Sequence, residues 1–295
     1  MNSPLQNQFK TQIAGLRGFA FQDFITRLYL LKYGSNGFLP PRRVRDSGSD
    51  GIILSENRVV ACYAPDNYDK KDFWKKVKGD YESFEKCLKS QYSNWSFISN
   101  IDIPQDVISK IHSELNRHAL VLGIQNIVSS VEELSSGNKR KIGSFLNIDP
   151  DYFAREFLGE ILEDLLRGSP FTDSTIQYET LLYFPDKIKL NFTLDEVESV
   201  KTEYDLFLED GLFRNISVLL SNYEDEEQDR IKIRLMYDLD SIFQGTFRER
   251  IHSLTKLYLN RYSNENDDEY LTNIRAVLLF FFEQCIIGKK TEDEK

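Results

Sequence analysis

A chain of 295 residues with 41% apolar and 13% aromatic content is long enough to bury a core without metal or disulfide staples, as one large domain or two modest ones. That composition, with 28% charged residues, excludes disordered, collagen-like and coiled-coil chains. Three scattered cysteines, Cys62, Cys87 and Cys285, exclude a disulfide framework or zinc site and point to a reducing, cytoplasmic setting. The net charge of −10 is unevenly spread: residues 1–90 hold 15 Lys and Arg against 10 Asp and Glu, a balance of +5, and the remainder holds 22 against 37, a balance of −15.

The opening segment, MNSPLQNQFKTQ, has no basic stretch followed by an apolar run, so no export is expected. Apolar residues at Phe9, Ile13, Leu16, Phe21, Phe24, Ile25 and Leu28 predict one long helix over 9–33 that ends at Gly34. Gly18 inside it suggests close packing against another element. Residues 38–44 read as a short strand delayed by Pro40 and Pro41, and 46–51 as a turn. GIIL (51–54) and RVVACY (58–63) then read as the two antiparallel strands of a hairpin. A helix over 68–90 carries Phe73, Val77, Tyr81, Phe84 and Leu88 on one side. WSFIS (95–99) opens a β-α-β return through 107–115 and 119–121.

From about Ile124 the pattern becomes helix after helix, beginning in earnest with 153–166. KIKLNF (187–192) alternates like a strand, and Thr193 with Glu196 three positions on is a capping pair for the next helix. Helices over 217–223, 230–243, 247–262 and 269–287 follow. The last is apolar almost all round and so belongs at the centre of the helical part or against a partner. Its most apolar run, about 12 residues, falls short of the roughly 20 that span a bilayer, which predicts a soluble protein with no membrane partner. An α/β domain over 1–140 and an all-helical assembly and oligomerisation domain over 141–295 are expected.

The hairpin beside a first helix, with Asp50 at the start of its first strand, resembles the build of metal-dependent nucleases of the PD-(D/E)XK kind. That resemblance implies an Asp and a second acid or amide about ten residues on holding Mg²⁺. A Lys two residues further would stabilise the hydroxide and the charged phosphorane. Ala61-Cys62-Tyr63 stands where acid-x-Lys belongs. Two readings follow: the role of the lysine has moved to Lys76, or the site is inactive. In the first, Asp50 and Lys76 are catalytic and Gln22 joins Asp50 as a metal ligand. Arg42, Arg43, Arg45, Lys70, Lys71 and Lys75 suit phosphate contacts, although a lysine-rich helix face is also what plain solvation produces. No GxxxxGK[ST] loop occurs, so any ATPase is a partner.

The stretches Gly18-x-x-Phe21-Gln22, Asp50-Gly51, Cys62-Tyr63-Ala64-Pro65, Lys76-Val77-x-x-Asp80 and Trp95-x-Phe97-Ile98-x-Asn100 resemble the N-terminal domain of proteins from the ABC-three-component bacterial defence systems, to which Lamassu is similar. Lys187-Ile188-x-x-Asn191 and the closing Ala276-x-x-x-x-Phe281-Phe282-Glu283-x-Cys285-x-Ile287 resemble their helical domain. Family members often carry Gln where Ala61 stands. The resemblance implies a restriction-endonuclease-like α/β domain followed by an all-helical one. It also implies an antiphage role as a nuclease-like effector, acting on DNA with an SMC-like ABC ATPase and a small middle subunit. The alternatives are an inactive DNA-binding or scaffold subunit of such a complex and a free-standing restriction endonuclease.

Overall fold

The computed structural model describes residues 3–41, 49–168, 182–262 and 268–290. The chain divides into two units, Met1–Pro150 and Asp151–Lys295. Residues 136–145, through which the expected boundary passes, form a helix of the first unit.

The first helix begins with a reciprocal cap: Ser3 Oγ accepts the Gln6 N–H and Gln6 Oε1 accepts the Ser3 N–H, each at 3.1 Å, ahead of Pro4. Instead of one helix over 9–33 there are two, α1 (Pro4–Gly15) and α2 (Gly18–Tyr33), with Leu16 and Arg17 extended between them. The break is held from a distance. Buried Asn100 donates its amide to the carbonyls of Ala14 (3.2 Å) and Leu16 (2.8 Å), acceptors that a continuous helix would have consumed. Gly18 has φ +46° and open space where a Cβ would stand, so it serves the backbone turn and not the close packing expected of it.

Strands β1 (Phe38–Leu39), β2 (Gly51–Ile53), β3 (Arg58–Tyr63), β4 (Asn94–Ser99) and β5 (Leu120–Leu122) form one sheet in chain order. The first three are antiparallel, and β3-β4 and β4-β5 are parallel. The parallel pairs need crossovers, supplied by α3 (Lys70–Cys87) and α4 (Gln105–Glu114). Strand alternation sorts the core. Val59 and Ala61 of β3 join Trp95, Phe97 and the inner residues of α3 and α4, Phe73, Val77, Phe84, Val107 and Ile111, in one buried cluster. On the other face α2 packs on β3, while α5 (Ile124–Glu132) packs on α1 and α6 (Ser136–Phe145) on α2, where Arg27 lies 4.5 Å over the Phe145 ring.

In the second unit, α7 (Pro150–Arg167), α8 (Phe184–Asn191), α9 (Leu194–Glu209), α10 (Leu212–Leu220), α11 (Asp225–Asp240), α12 (Phe247–Tyr262) and α13 (Asp268–Glu283) are all helical. The apolar helix α13 is central, packed on α9, α10 and α12 with residues Ala276 to Phe282 all buried. The capping pair closes as expected, Glu196 Oε2 accepting the Thr193 N–H at 3.0 Å. The strand expected at 187–192 is instead α8. Lys187 and Ile188 are buried side by side, which an alternating strand cannot do, and Lys187 Nζ donates to the Phe282 carbonyl near the end of α13. Among the described residues no helix is long and apolar enough to cross a membrane.

Candidate functional site

Asp50 is placed by its neighbours. Gly51 has φ +153°, and a Cβ there would lie 2.3 Å from Phe38 Cζ, so only glycine lets β2 pass the Phe38 ring. The β2-β3 register pairs Gly51 with Val60 and Ile52 with Val59. Asp50 stands one residue before this paired stretch. Asp50 donates its N–H to the Val60 carbonyl at 2.7 Å, and its Oδ2 accepts the Cys62 N–H at 2.6 Å. The carboxylate is buried and pinned to the neighbouring strand.

Asp69 starts α3 by accepting the N–H groups of Lys71 (2.8 Å) and Asp72 (2.9 Å). About two turns on, Lys76 Nζ donates to Asp80 Oδ1 at 2.6 Å. Asp80 lies on the stripe of α3 that otherwise carries Phe73, Val77, Tyr81 and Phe84 into the core. Burial pushes the Cys62 thiol well above its ordinary range, and Asp50 and then Asp80 push it further, while Lys76 opposes them. Two acids and one ammonium therefore converge electrostatically on the end of β3. Asp50 bonds Cys62 directly, and Lys76 acts on it through its charge. Asp80 joins them, although nothing in the sequence assigned it a role. The available signal was its spacing, three residues after Val77 and four before Phe84, which puts a carboxylate on a core-facing stripe.

The remaining sequence candidates divide. Tyr63, where the strand lysine would stand, is half-buried with its ring 5.7 Å from that of Phe73, so it packs. Gln22 is half-buried on α2. The start of that helix reaches the end of the sheet where β3 and β4 finish, because Arg17 pairs with Asp66 at 3.8 Å and Asn100 holds the α1-α2 link. Lys70 is ion-paired with Asp106, while Lys71 and Lys75 are exposed. Arg42, Arg43 and Arg45 lie outside the described residues. His112 faces the Ala119 carbonyl at 3.0 Å, an ordinary satisfied position.

For a divalent ion, Asp50 offers a hard carboxylate oxygen of the kind Mg²⁺ takes, while Asp80 is engaged by Lys76. Among the described residues no group of three or more His, Cys, Asp or Glu is placed to hold a metal. The donors present do not make a closed protein cage; an ion here would rest on a carboxylate and take most of its shell from water and substrate phosphate. Comparison with protein-family models, with curated proteins and with solved structures finds no match.

Proposed function

We propose that residues of the first unit form a restriction-endonuclease-like nuclease site, and that the chain is the nuclease-like effector subunit of a cytoplasmic antiphage complex acting on DNA. The observation that carries this reading is buried Asp50, held at 2.6 Å on the Cys62 N–H, with the charge of Lys76, 26 residues on, also acting on Cys62 from α3. Strand order supports it too: the β2-β3 hairpin, with α2 packed on β3, runs on into two parallel strands.

In this reading Asp50, with Gln22, helps hold Mg²⁺, which when bound activates water and neutralises the phosphate. The Lys76 ammonium, still 43% exposed at its side chain, meets the charge that develops on the phosphoryl oxygens in the transition state. Lys71 and Lys75 bind backbone phosphates without reading bases, and Arg42, Arg43 and Arg45 do the same. The second unit, with α13 at its core, is the module through which the chain assembles with an SMC-like ABC ATPase, a small middle subunit and further copies of itself.

One observation favours the inactive DNA-binding or scaffold alternative: Ala61 and the packed Tyr63 occupy the strand positions of the usual acid and lysine. The deciding experiment is Mg²⁺-dependent cleavage of plasmid DNA by the full chain, alone and with any ATPase found to co-purify with it. Wild-type cutting that Asp50→Asn and Lys76→Met each abolish, with DNA binding retained, supports the nuclease. Binding without cutting under any trigger supports the scaffold.

A further inference from the structure

We infer that Asp80 is a positioning residue for Lys76, holding its ammonium at the Asp50 end of β3; this rests on the nuclease reading above. The inference starts from a cost. Residues 73, 77, 80, 81 and 84 share the stripe of α3 that faces inward, and four of these five positions carry aromatic or aliphatic side chains. A carboxylate in that stripe loses its water, a penalty that an apolar residue of similar volume would avoid. Such a carboxylate is tolerated only with a partner, and the partner here is Lys76.

The lysines of α3 show what the penalty secures. Lys70 pairs with Asp106 and Lys78 with Glu82, but those carboxylates are 58% and 64% exposed at the side chain. Both partners of such pairs swing freely, and water screens them. Asp80, at 10%, is fixed by the packing around it, so the ammonium it accepts from at 2.6 Å is fixed as well. Of the two side chains, Lys76 is much the more exposed. Asp80 thus stands behind the lysine and presents it outward, where a phosphodiester can reach it. A flexible four-carbon stem gains a defined direction, which is what a charge acting on a transition state requires.

The test compares wild type, Asp80→Asn and Asp80→Glu in the full chain. Two readouts are taken: the rate at which an N-hydroxysuccinimide ester acetylates Lys76, followed by mass spectrometry, and the steady-state kinetics of DNA cleavage. In wild type, Lys76 should label more slowly than exposed Lys75, and in Asp80→Asn at the same rate as Lys75. Cleavage by Asp80→Asn should fall in kcat on the order of 100-fold, with KM and the Mg²⁺ concentration for half-activation unchanged. Asp80→Glu, which keeps the charge, should recover most of the loss. Equal labelling of Lys76 in wild type and Asp80→Asn overturns the inference whether or not the chain cuts DNA. An unchanged kcat in Asp80→Asn, or a loss of Mg²⁺ affinity in place of kcat, also overturns it while leaving the nuclease reading standing. A wild type that never cuts removes the nuclease reading and with it the catalytic purpose assigned to the Asp80–Lys76 contact.

Discussion

Asp50 Oδ2 accepts the backbone N–H of Cys62 at 2.6 Å, tying the start of β2 to the far end of β3. One carboxylate thus has two duties, satisfying a buried donor and forming part of the candidate site, and substitutions separate them. Asp50→Ala strips the Cys62 N–H of its acceptor and should cost about 1–3 kcal/mol of stability. Asp50→Asn retains a carbonyl oxygen and should cost less than about 1 kcal/mol. Urea unfolding of both variants checks this; equal losses would show that the hydrogen bond does not form in solution.

Lys76 and Asp80 should couple energetically. Breaking a fully buried pair costs roughly 3–5 kcal/mol, but the partial exposure of Lys76 lets water take over, so Lys76→Ala should cost about 1–2 kcal/mol. A double-mutant cycle with Asp80→Ala should return a coupling of about 1 kcal/mol. Strict additivity of the two single losses would contradict the pairing.

DNA binding should weaken steeply with salt, and individual lysines should differ in their share. Lys71→Ala and Lys75→Ala should each lower the slope of log K against log salt by about 0.9. Lys70→Ala should lower it less, because Asp106 already holds that ammonium. Fluorescence anisotropy at several salt concentrations measures all three. Identical slopes for the three variants would rule out the assigned ranking.

Cys62 makes a pH prediction. Burial first, then Asp50 and Asp80, raise its thiol well above the usual range in the folded chain. The unfolded thiol ionises near pH ~8.5, so the folded state binds this proton more tightly. The contribution to stability is complete below that pH and declines as pH rises further. Stability of wild type should therefore fall between neutral and strongly alkaline pH more than that of Cys62→Ala. Exposed Cys87 should react with Ellman's reagent in the native state, and Cys62 only on unfolding.

In the second unit, Lys187→Met removes the donor to the Phe282 carbonyl and should cost about 1–3 kcal/mol. Lys189→Met, two residues away and exposed, should stay within about 0.5 kcal/mol. Asn191, whose amide exchanges hydrogen bonds of 3.0 and 2.6 Å with the Lys289 backbone, should behave like Lys187 when changed to Ala. Thermal unfolding ranks the three.

What the amino-acid order determined by itself was local and periodic. The hairpin of β2 and β3, the α3 stripe, the β-α-β return and the course of α12 were legible, because alternation and helical spacing report which face a residue shows to the core. The acidic run at 225–229 lies outside the helix expected over 230–243, yet it opens α11, where negative charge meets the positive end of the helix dipole. KIKLNF alternates like a strand and is a helix, because buried Lys187 finds its acceptor on Phe282, 95 residues on. The first helix divides because Asn100, 84 residues after Leu16, claims that residue's carbonyl. Asp50 and Lys76 could be nominated from the sequence, but the bond from Cys62 to Asp50 and the pairing of Lys76 with buried Asp80 could not. A buried polar group is stable only with its partner in place, and where the partner lies far along the chain, only the tertiary structure brings the two together.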